Sequence, residues 1–204
     1  MIPSIIHRVW LGRNPLSLEA SEFEKSFRRY NPEWKFHLWT DDDITILPNY
    51  RAVLKAKAFS SKSNIVRIDV VNMYGGVYVD TDVECLKPLD KLLHYPAFAG
   101  RQSTRTVCNA VFGAVARHPW LIEMSTRLES CAELPPPWGP QLFTESVQDR
   151  SDVVILPKET FYPWLWDQPR RSHCPDSFTA HYWNMTWRPG KRIIAKVAQN
   201  QTNA

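Results

Sequence analysis

The chain has 204 residues, of which 44% are hydrophobic and 23% are charged, and this balance excludes an intrinsically disordered protein. No apolar run approaches the ~18 residues of a membrane-spanning helix, so we expect no transmembrane anchor. The 25 basic and 21 acidic residues are scattered along the chain, and their net charge of +4 predicts no nucleic-acid partner.

The cysteines and the two ends of the chain bear on where the protein works. The opening residues lack the basic and long apolar regions of a secretory signal, so we expect a cytoplasmic protein. Cys85, Cys108, Cys131 and Cys174 form no CxxC pair, which predicts free thiols and no zinc cluster. The basic run at 188–196 is interpreted as a solvated terminal segment, with peripheral contact to the inner face of the membrane as the alternative.

The first half of the chain alternates strand and helix patterns. Apolar and alternating runs predict strands over Ile2–Leu11 and Trp34–Trp39. Between them, helical spacing predicts a helix over Ser17–Tyr30 that ends before Asn31, with its first residue as N-cap. Alanines and lysines predict another helix between 51 and 61. Strand, helix and strand at this spacing indicate a parallel crossover unit, and hence an α/β fold of nucleotide-binding type.

The stretch from Ser63 to Glu84 has the pattern of a helix, a glycine break and a strand that ends in carboxylates. Apolar residues recur at three-residue steps until Gly75, which stands where a helix needs a residue able to adopt positive φ. A period of two then predicts a strand over Val77–Glu84, with valines on a buried face and Asp80 and Asp82 on the other. Ligands of open α/β sheets bind beyond the carboxyl ends of strands, so we expect a site here.

The carboxylates of this D-x-D pair lie about 6.6 Å apart along a regular strand and repel each other unless a positive group meets them. Mg²⁺ or Mn²⁺ is the obvious partner, because hard cations bind carboxylate and phosphate oxygens and stabilise phosphate leaving groups. A solvated strand end is the alternative. The pattern lacks the later glycine and glutamate of an EF-hand, and adjacent acids on an open face do not suit a glycosidase.

The second half of the chain is rich in loops, prolines and aromatic residues. A short strand is predicted over Ala110–Ala116 and a helix over Trp120–Cys131. The prolines from Pro135 to Pro140 are expected to exclude regular structure. The length of the chain fits one domain with its own core.

Short motifs with a common family pattern run through almost the whole chain. They are Ile2-Pro3, Ile5-Ile6-His7, Trp10-Leu11-Gly12, Asn31-Pro32, Leu38-Trp39, Ser63–Arg67, Tyr74–Val83, Asn109, Gly113, His118-Pro119, Gly139-Pro140, His181-Tyr182-Trp183 and Thr186-Trp187. Together they resemble the DXD-containing glycosyltransferases of family 32. That group includes bacterial capsular-polysaccharide transferases and fungal α-mannosyltransferases, and it is distantly similar to the glucosylating clostridial toxins.

The resemblance implies a GT-A-like (Rossmann-like) α/β fold with a mostly parallel central sheet. It implies transfer of a sugar from a UDP- or GDP-linked donor, with Mn²⁺ or Mg²⁺ as cofactor and with retention. The acceptor would be a glycan, a lipid-linked molecule or a protein. We expect one domain, 1–204, with a nucleotide-sugar-binding half at 1–100 and an acceptor and closing half at 101–204. The tryptophans at 138, 164 and 166 either line the acceptor cleft or pack in the core.

The resemblance also implies roles for individual residues. The implied donor-binding residues are Trp10, Asn64, Arg67, Tyr78, Asp80, Asn109 and Trp187. The implied metal ligands are Asp80, Asp82 and His181, and the two aspartates are also the implied catalytic residues.

Asn64 departs from the family pattern, which usually has aspartate at this position. An amide still hydrogen-bonds a hydroxyl group but brings no charge. Two implied roles have simpler alternatives, since Arg67 can pair with an aspartate and Trp10 can be a core residue at a strand end. Two other functions stay open, a metal-dependent phosphatase that uses the D-x-D strand and a non-catalytic protein that binds nucleotide sugars or glycans.

Overall fold

The computed structural model of the protein describes residues 1–131, 138–171 and 174–184. Their strands are β1 Ile5–Val9, β2 Lys35–Trp39, β3 Gly76–Val79, β4 Val83–Cys85, β5 Ala97–Arg101, β6 Val107–Ala114, β7 Val154–Leu156 and β8 Thr179–His181. Their α-helices are α1 Leu18–Tyr30, α2 Tyr50–Lys55, α3 Phe59–Tyr74, α4 Pro119–Cys131, α5 Trp138–Val147 and α6 Lys158–Phe161. Short 3₁₀ helices span Asp41–Ile46 and Asp90–Leu92.

A central sheet has the strand order β2-β1-β3-β6-β5-β7. β1 is parallel to β2 and β3, and β5 is parallel to β7. In the described part of the central sheet only β6 runs antiparallel to both of its neighbours, β3 and β5. The predicted α/β fold with a mostly parallel sheet is confirmed. The reversal of β6 follows from the short connection at 102–106, which can join antiparallel strands but is too short for a parallel crossover.

Helices cover both faces of this sheet. α2 to α5 pack on one face, where Trp120 and Phe143 lie edge to face at 5.3 Å. α1 and α6 pack on the other face through Phe27 and Phe161. β3 is therefore buried on both sides, as is usual for a strand between two helical layers. The predicted acidic, open face of this strand is wrong, because Tyr78 is only 1% exposed.

Helix boundaries agree with the sequence except at two places. Ser17 caps α1 as predicted, accepting a hydrogen bond from the Ala20 N–H over 3.1 Å. The helix predicted between 51 and 61 is two helices, because the buried Ala56 is extended and turns the chain. Pro140 was expected to exclude regular structure but lies in the first turn of α5, where its missing N–H has no helical acceptor.

Two glycines turn α3 directly into β3. Gly75 has a φ of 64°, and a Cβ there would lie 2.7 Å from the Ala116 nitrogen. Gly76 has a φ of 104°, and a Cβ there would lie 2.7 Å from the Ile5 carbonyl oxygen of β1. Side chains are excluded at both positions, so the predicted helix end is confirmed and β3 begins against β1 without a connecting loop.

The cysteines and the helices can be compared with their predictions, whereas several other predicted features lie outside the described residues. Cys85, Cys108 and Cys174 are free thiols, as predicted. Among the described helices, none combines the length and apolar character needed to cross a bilayer. The features that lie outside the described residues are Trp187, the basic run at 188–196, the prolines at 135–137 and the side chains of Cys131 and Trp138.

Candidate active site

The two aspartates lie in a tight turn after β3. The strand ends at Val79, the Asp80 N–H donates to Ala110 of β6 over 2.9 Å, and the Val83 N–H donates to the Asp80 carbonyl over 3.2 Å. The single continuous strand predicted over Val77–Glu84 is therefore wrong, because a turn at 80–82 divides it and its last two residues belong to β4. The chain leaves the central sheet here because β4 pairs with β8 in a separate two-stranded sheet.

The pairing of β4 with β8 brings an imidazole to the second aspartate. Val83 lies opposite His181, and His181 Nε2 is 3.0 Å from Asp82 Oδ1. The other carboxylate oxygen accepts the Asn184 N–H over 2.8 Å. Burial favours the neutral forms, yet the carboxylate raises the pKa of His181 to about 10, and the imidazolium holds the pKa of Asp82 below its usual value. The two groups form an ion pair at neutral pH.

The first aspartate is held by Arg67 and Tyr78. Arg67 Nη2 lies 3.1 Å from Asp80 Oδ1, and the Tyr78 hydroxyl donates to the same oxygen over 2.6 Å. The guanidinium stacks on the tyrosine ring at 4.6 Å and donates to the Asn109 carbonyl over 2.8 Å. Burial lowers the pKa of Arg67, but the charge of Asp80 outweighs it and the net change is upward. The ion-pair interpretation of Arg67 is thus confirmed, and the pair lies within the candidate site.

Two amides lie next to this ion pair. Asn64 precedes Arg67 by one turn of α3, so both side chains project from the same side of the helix. Asn109 of β6 donates its amide N–H to Asn64 Oδ1 over 2.9 Å. The predicted donor-binding residues Asn64, Arg67, Tyr78, Asp80 and Asn109 are therefore connected by direct contacts.

Arg8 of β1 belongs to the site, although the sequence patterns did not identify it. Its side chain is 2% exposed, and Nη2 donates to the Thr81 carbonyl between the two aspartates over 2.7 Å. The guanidinium also donates to the Ala20 carbonyl over 3.1 and 3.2 Å, and Nη1 lies 3.5 Å from Glu24. A buried guanidinium needs hydrogen-bond acceptors around it, so an arginine within an apolar strand indicated that acceptors lie nearby. The sequence did not identify those acceptors. Arg8 fixes the backbone of the aspartate turn.

Three side chains of this turn and of β8 form a set of ligand atoms. One atom each from Asp80, Asp82 and His181 lie within 4.8 Å of one another. Neighbouring ligands of one octahedral cation at about 2.1 Å are separated by roughly 3 Å, and opposite ones by roughly 4 Å. The donor set of two carboxylates and an imidazole suits a divalent cation, and separations of up to 4.8 Å mean that the side chains would move slightly closer together on binding it.

Comparison with known proteins places this turn within a matched region. Residues 19–99 match the family model described as the glycosyltransferase sugar-binding region containing the DXD motif. This part of the chain is therefore similar to the DXD-containing glycosyltransferases. The predicted family resemblance is confirmed, and the motif that names the family is the turn held by Arg8 and Arg67.

Proteins of similar sequence occur in fungi and in a giant virus. Inositol phosphoceramide mannosyltransferase 3 of Schizosaccharomyces pombe is 32% identical over 133 residues, covering 62% of this chain and 37% of the relative. An uncharacterised glycosyltransferase of Acanthamoeba polyphaga mimivirus is 23% identical over 225 aligned positions, covering 98% of this chain and 90% of the relative. The chain spans less than half the length of the fungal relatives.

Solved structures share the fold of this protein. The PaToxG glycosyltransferase superimposes with a TM-score of 0.58 at 14% identity, covering 72% of this chain and 68% of PaToxG. The galactosyltransferase LgtC superimposes with a TM-score of 0.56 at 11% identity, covering 88% and 87%. The shared fold is the GT-A fold, as predicted.

The tryptophans of this protein have different surroundings. Trp10, half-buried beyond the end of β1, donates its indole N–H to the Asn14 carbonyl over 2.7 Å. Trp164 is 4% exposed and lies edge to face with Tyr182, so the core interpretation applies to it. Trp166 is 57% exposed. Among the described side chains of the tryptophans predicted for the acceptor cleft, it is the one exposed enough to contact a ligand.

Proposed function

We propose that this protein transfers a sugar from a UDP- or GDP-linked donor to a hydroxyl acceptor, with a divalent cation as cofactor. The observation that carries the proposal is the convergence of Asp80, Asp82 and His181 within 4.8 Å at the end of β3. In an open α/β sheet this is the edge at which ligands bind. The family and the fold favour sugar transfer over the phosphatase alternative.

Asp80, Asp82 and His181 are the residues that would hold Mn²⁺ or Mg²⁺. When bound there, the cation supplies positive charge to the departing nucleoside diphosphate. The Asp82 carboxylate is kept ionised by its imidazole and N–H partners, so it can bind a cation without losing a proton, whereas His181 has to release its proton before its nitrogen can act as a ligand. The Asp80 oxygen shared by Arg67 and Tyr78 is fixed in place.

The remaining side chains bind and orient the donor in this proposal. The amides of Asn64 and Asn109 present uncharged hydrogen-bonding groups suited to hydroxyls. Trp10 offers an aromatic face for the base. Trp166 offers an exposed aromatic surface to the acceptor.

The finer parts of the proposal concern stereochemistry, acceptor and place of action. We propose retention, with a glycan, a lipid-linked molecule or a protein as acceptor. The names of the fungal relatives make mannose the first donor sugar to test and favour a lipid-linked acceptor. We further propose a cytoplasmic location with peripheral membrane contact through the basic run at 188–196.

A donor panel tests this function. GDP-mannose, UDP-glucose and UDP-N-acetylglucosamine are each incubated with the protein and Mn²⁺, and nucleotide release is measured with and without excess EDTA. We expect release from at least one donor, its loss with EDTA and its recovery when Mn²⁺ is restored. NMR of the transferred sugar then gives its anomeric configuration, which we expect to match that of the donor.

Three other outcomes would contradict the proposal. Nucleotide release that continues in excess EDTA would show that the reaction does not require a divalent cation. Binding of a donor without hydrolysis or transfer would favour a non-catalytic binding protein. Phosphate release without any sugar acceptor would favour the phosphatase.

A further inference from the structure

A glycine brings α5 into contact with the amide pair of the candidate site. Gly139 lies in the first turn of α5, and a Cβ placed on it would overlap the amide nitrogen of Asn64 and lie 2.8 Å from its Cγ. Side chains do not approach each other this closely. The amide of Asn64 therefore occupies space that any larger residue at position 139 would take, while its oxygen accepts from Asn109 over 2.9 Å.

The backbone gives no reason for a glycine at this position. Gly139 is helical, and its φ is outside the left-handed region that Gly12, Gly75 and Gly76 adopt. Glycine is less favourable than alanine in a helix, because it loses more conformational freedom on folding. The clearance that it leaves for Asn64 is the structural reason for a glycine here.

A side chain at position 139 would displace the amide and not the helix. Thr144 anchors α5 to β6, because its hydroxyl accepts the Val107 N–H over 3.1 Å and lies 3.2 Å from the carbonyl of that residue. Phe143 of α5 is buried in the aromatic core. Asn64 is a half-buried side chain held by one hydrogen bond in the described part of the protein. We therefore expect the Asn64 side chain to move and α5 to stay in place.

We propose that Gly139 is a positioning residue that fixes the orientation of the Asn64 amide beside Asn109 for donor binding. The proposal rests on the function proposed above. Orientation matters for an amide in a way that it does not for a carboxylate, because the two ends of an amide are different groups. In the described orientation the oxygen accepts from Asn109, and the NH₂ group, which donates to no other described residue, can donate to a hydroxyl oxygen of a nucleotide sugar.

A double-mutant cycle tests whether Gly139 acts through Asn64. Gly139→Ala is made in the natural sequence and in the Asn64→Ala background, and KM and kcat are measured with GDP-mannose, UDP-glucose and UDP-N-acetylglucosamine. In the natural sequence we expect KM for the donor to rise about tenfold with kcat changed less than about twofold. In the Asn64→Ala background we expect Gly139→Ala to change KM less than about twofold, because its target is gone. Gln141→Ala, an exposed position of the same helix, is the control and should leave both constants unchanged.

Two results would overturn the proposal. An equal rise in KM in both backgrounds would mean that Gly139 acts through α5, and an unchanged KM in the natural sequence would mean that it does not act at all. A crystal structure of Gly139→Ala makes the same distinction without turnover. We expect Asn64 rotated away from Asn109 with α5 in place, whereas a shifted α5 with Asn64 in place would refute the role. If no donor is turned over, the proposed function fails, and the crystal structure still decides the role of Gly139.

Discussion

Replacing Asp82 with asparagine is expected to lower donor turnover about 10³-fold, the loss typical for removing one group that stabilises developing charge. The substitution removes the negative charge that faces His181 at 3.0 Å. Asparagine keeps the volume of the side chain, and its carbonyl can still accept the Asn184 N–H. The turn should therefore keep its shape while its affinity for a cation falls. Turnover is measured as nucleotide release at saturating Mn²⁺, and folding is checked by circular dichroism.

Asp42→Asn is the matched control for this substitution. Asp42 is an exposed aspartate in the 3₁₀ helix after β2, outside the turn that holds Asp80 and Asp82. Its variant should turn over the donor at the rate of the natural protein. If Asp82→Asn keeps turnover within tenfold of the control, the aspartate turn is not the centre of the reaction.

Acidification from pH 6.5 to pH 4 is expected to remove about 3 kcal/mol of unfolding free energy through His7 alone. The side chain is 2% exposed between β1, β2 and the end of α3. Its Nδ1 accepts the indole N–H of Trp39 over 3.1 Å, and its Nε2 donates to the Gly75 carbonyl over 2.8 Å. Protonation would place a second N–H against the indole N–H, so the folded protein holds this imidazole neutral.

The direction of this effect follows from the pKa. Burial lowers the pKa of His7 from 6.5 to about 4, so the unfolded chain binds the proton more readily than the folded protein. Stability from this residue is complete above pH 6.5 and is lost as the pH falls towards 4.

Urea unfolding at pH 7 and pH 4.5 measures this contribution. The natural protein is compared with His7→Gln, which cannot take up the proton, and with His94→Gln, which changes an exposed histidine. We expect His7→Gln to be less stable at pH 7 but to lose less stability on acidification than the natural protein. His94→Gln should behave like the natural protein. Equal pH dependence in His7→Gln and the natural protein would show that His7 does not carry the effect.

Local patterns in the sequence predicted much of the fold. Ser17 and Gly75 mark helix ends through their own chemistry, so their roles were readable without knowing the fold. A strand that leads into carboxylates was also readable, although its end was predicted at Glu84 and lies at Val79. The participation of His181 and Asn109 came from the family resemblance, since neither has a local signal.

The missed features depend on parts of the chain that are distant in sequence. The strand was predicted to continue past Val79 because the period of two continues, whereas β4 turns away to pair with β8 almost 100 residues later. Arg8 acts on the Thr81 carbonyl from a neighbouring strand. Gly139 looked like part of a proline-rich loop, and its contact with Asn64 exists only because α5 docks on β6. Contacts of this kind require the tertiary structure.

Calorimetric titration of the protein with UDP and with GDP, in the presence of Mn²⁺ and after its removal with EDTA, tests the central claim most directly. The claim is that Asp80, Asp82 and His181 hold a cation that binds the diphosphate of the donor. We predict that at least one nucleotide binds with Mn²⁺ and that its binding is lost after chelation. Equal binding of the nucleotide with and without the cation, or no binding under either condition, would contradict the claim.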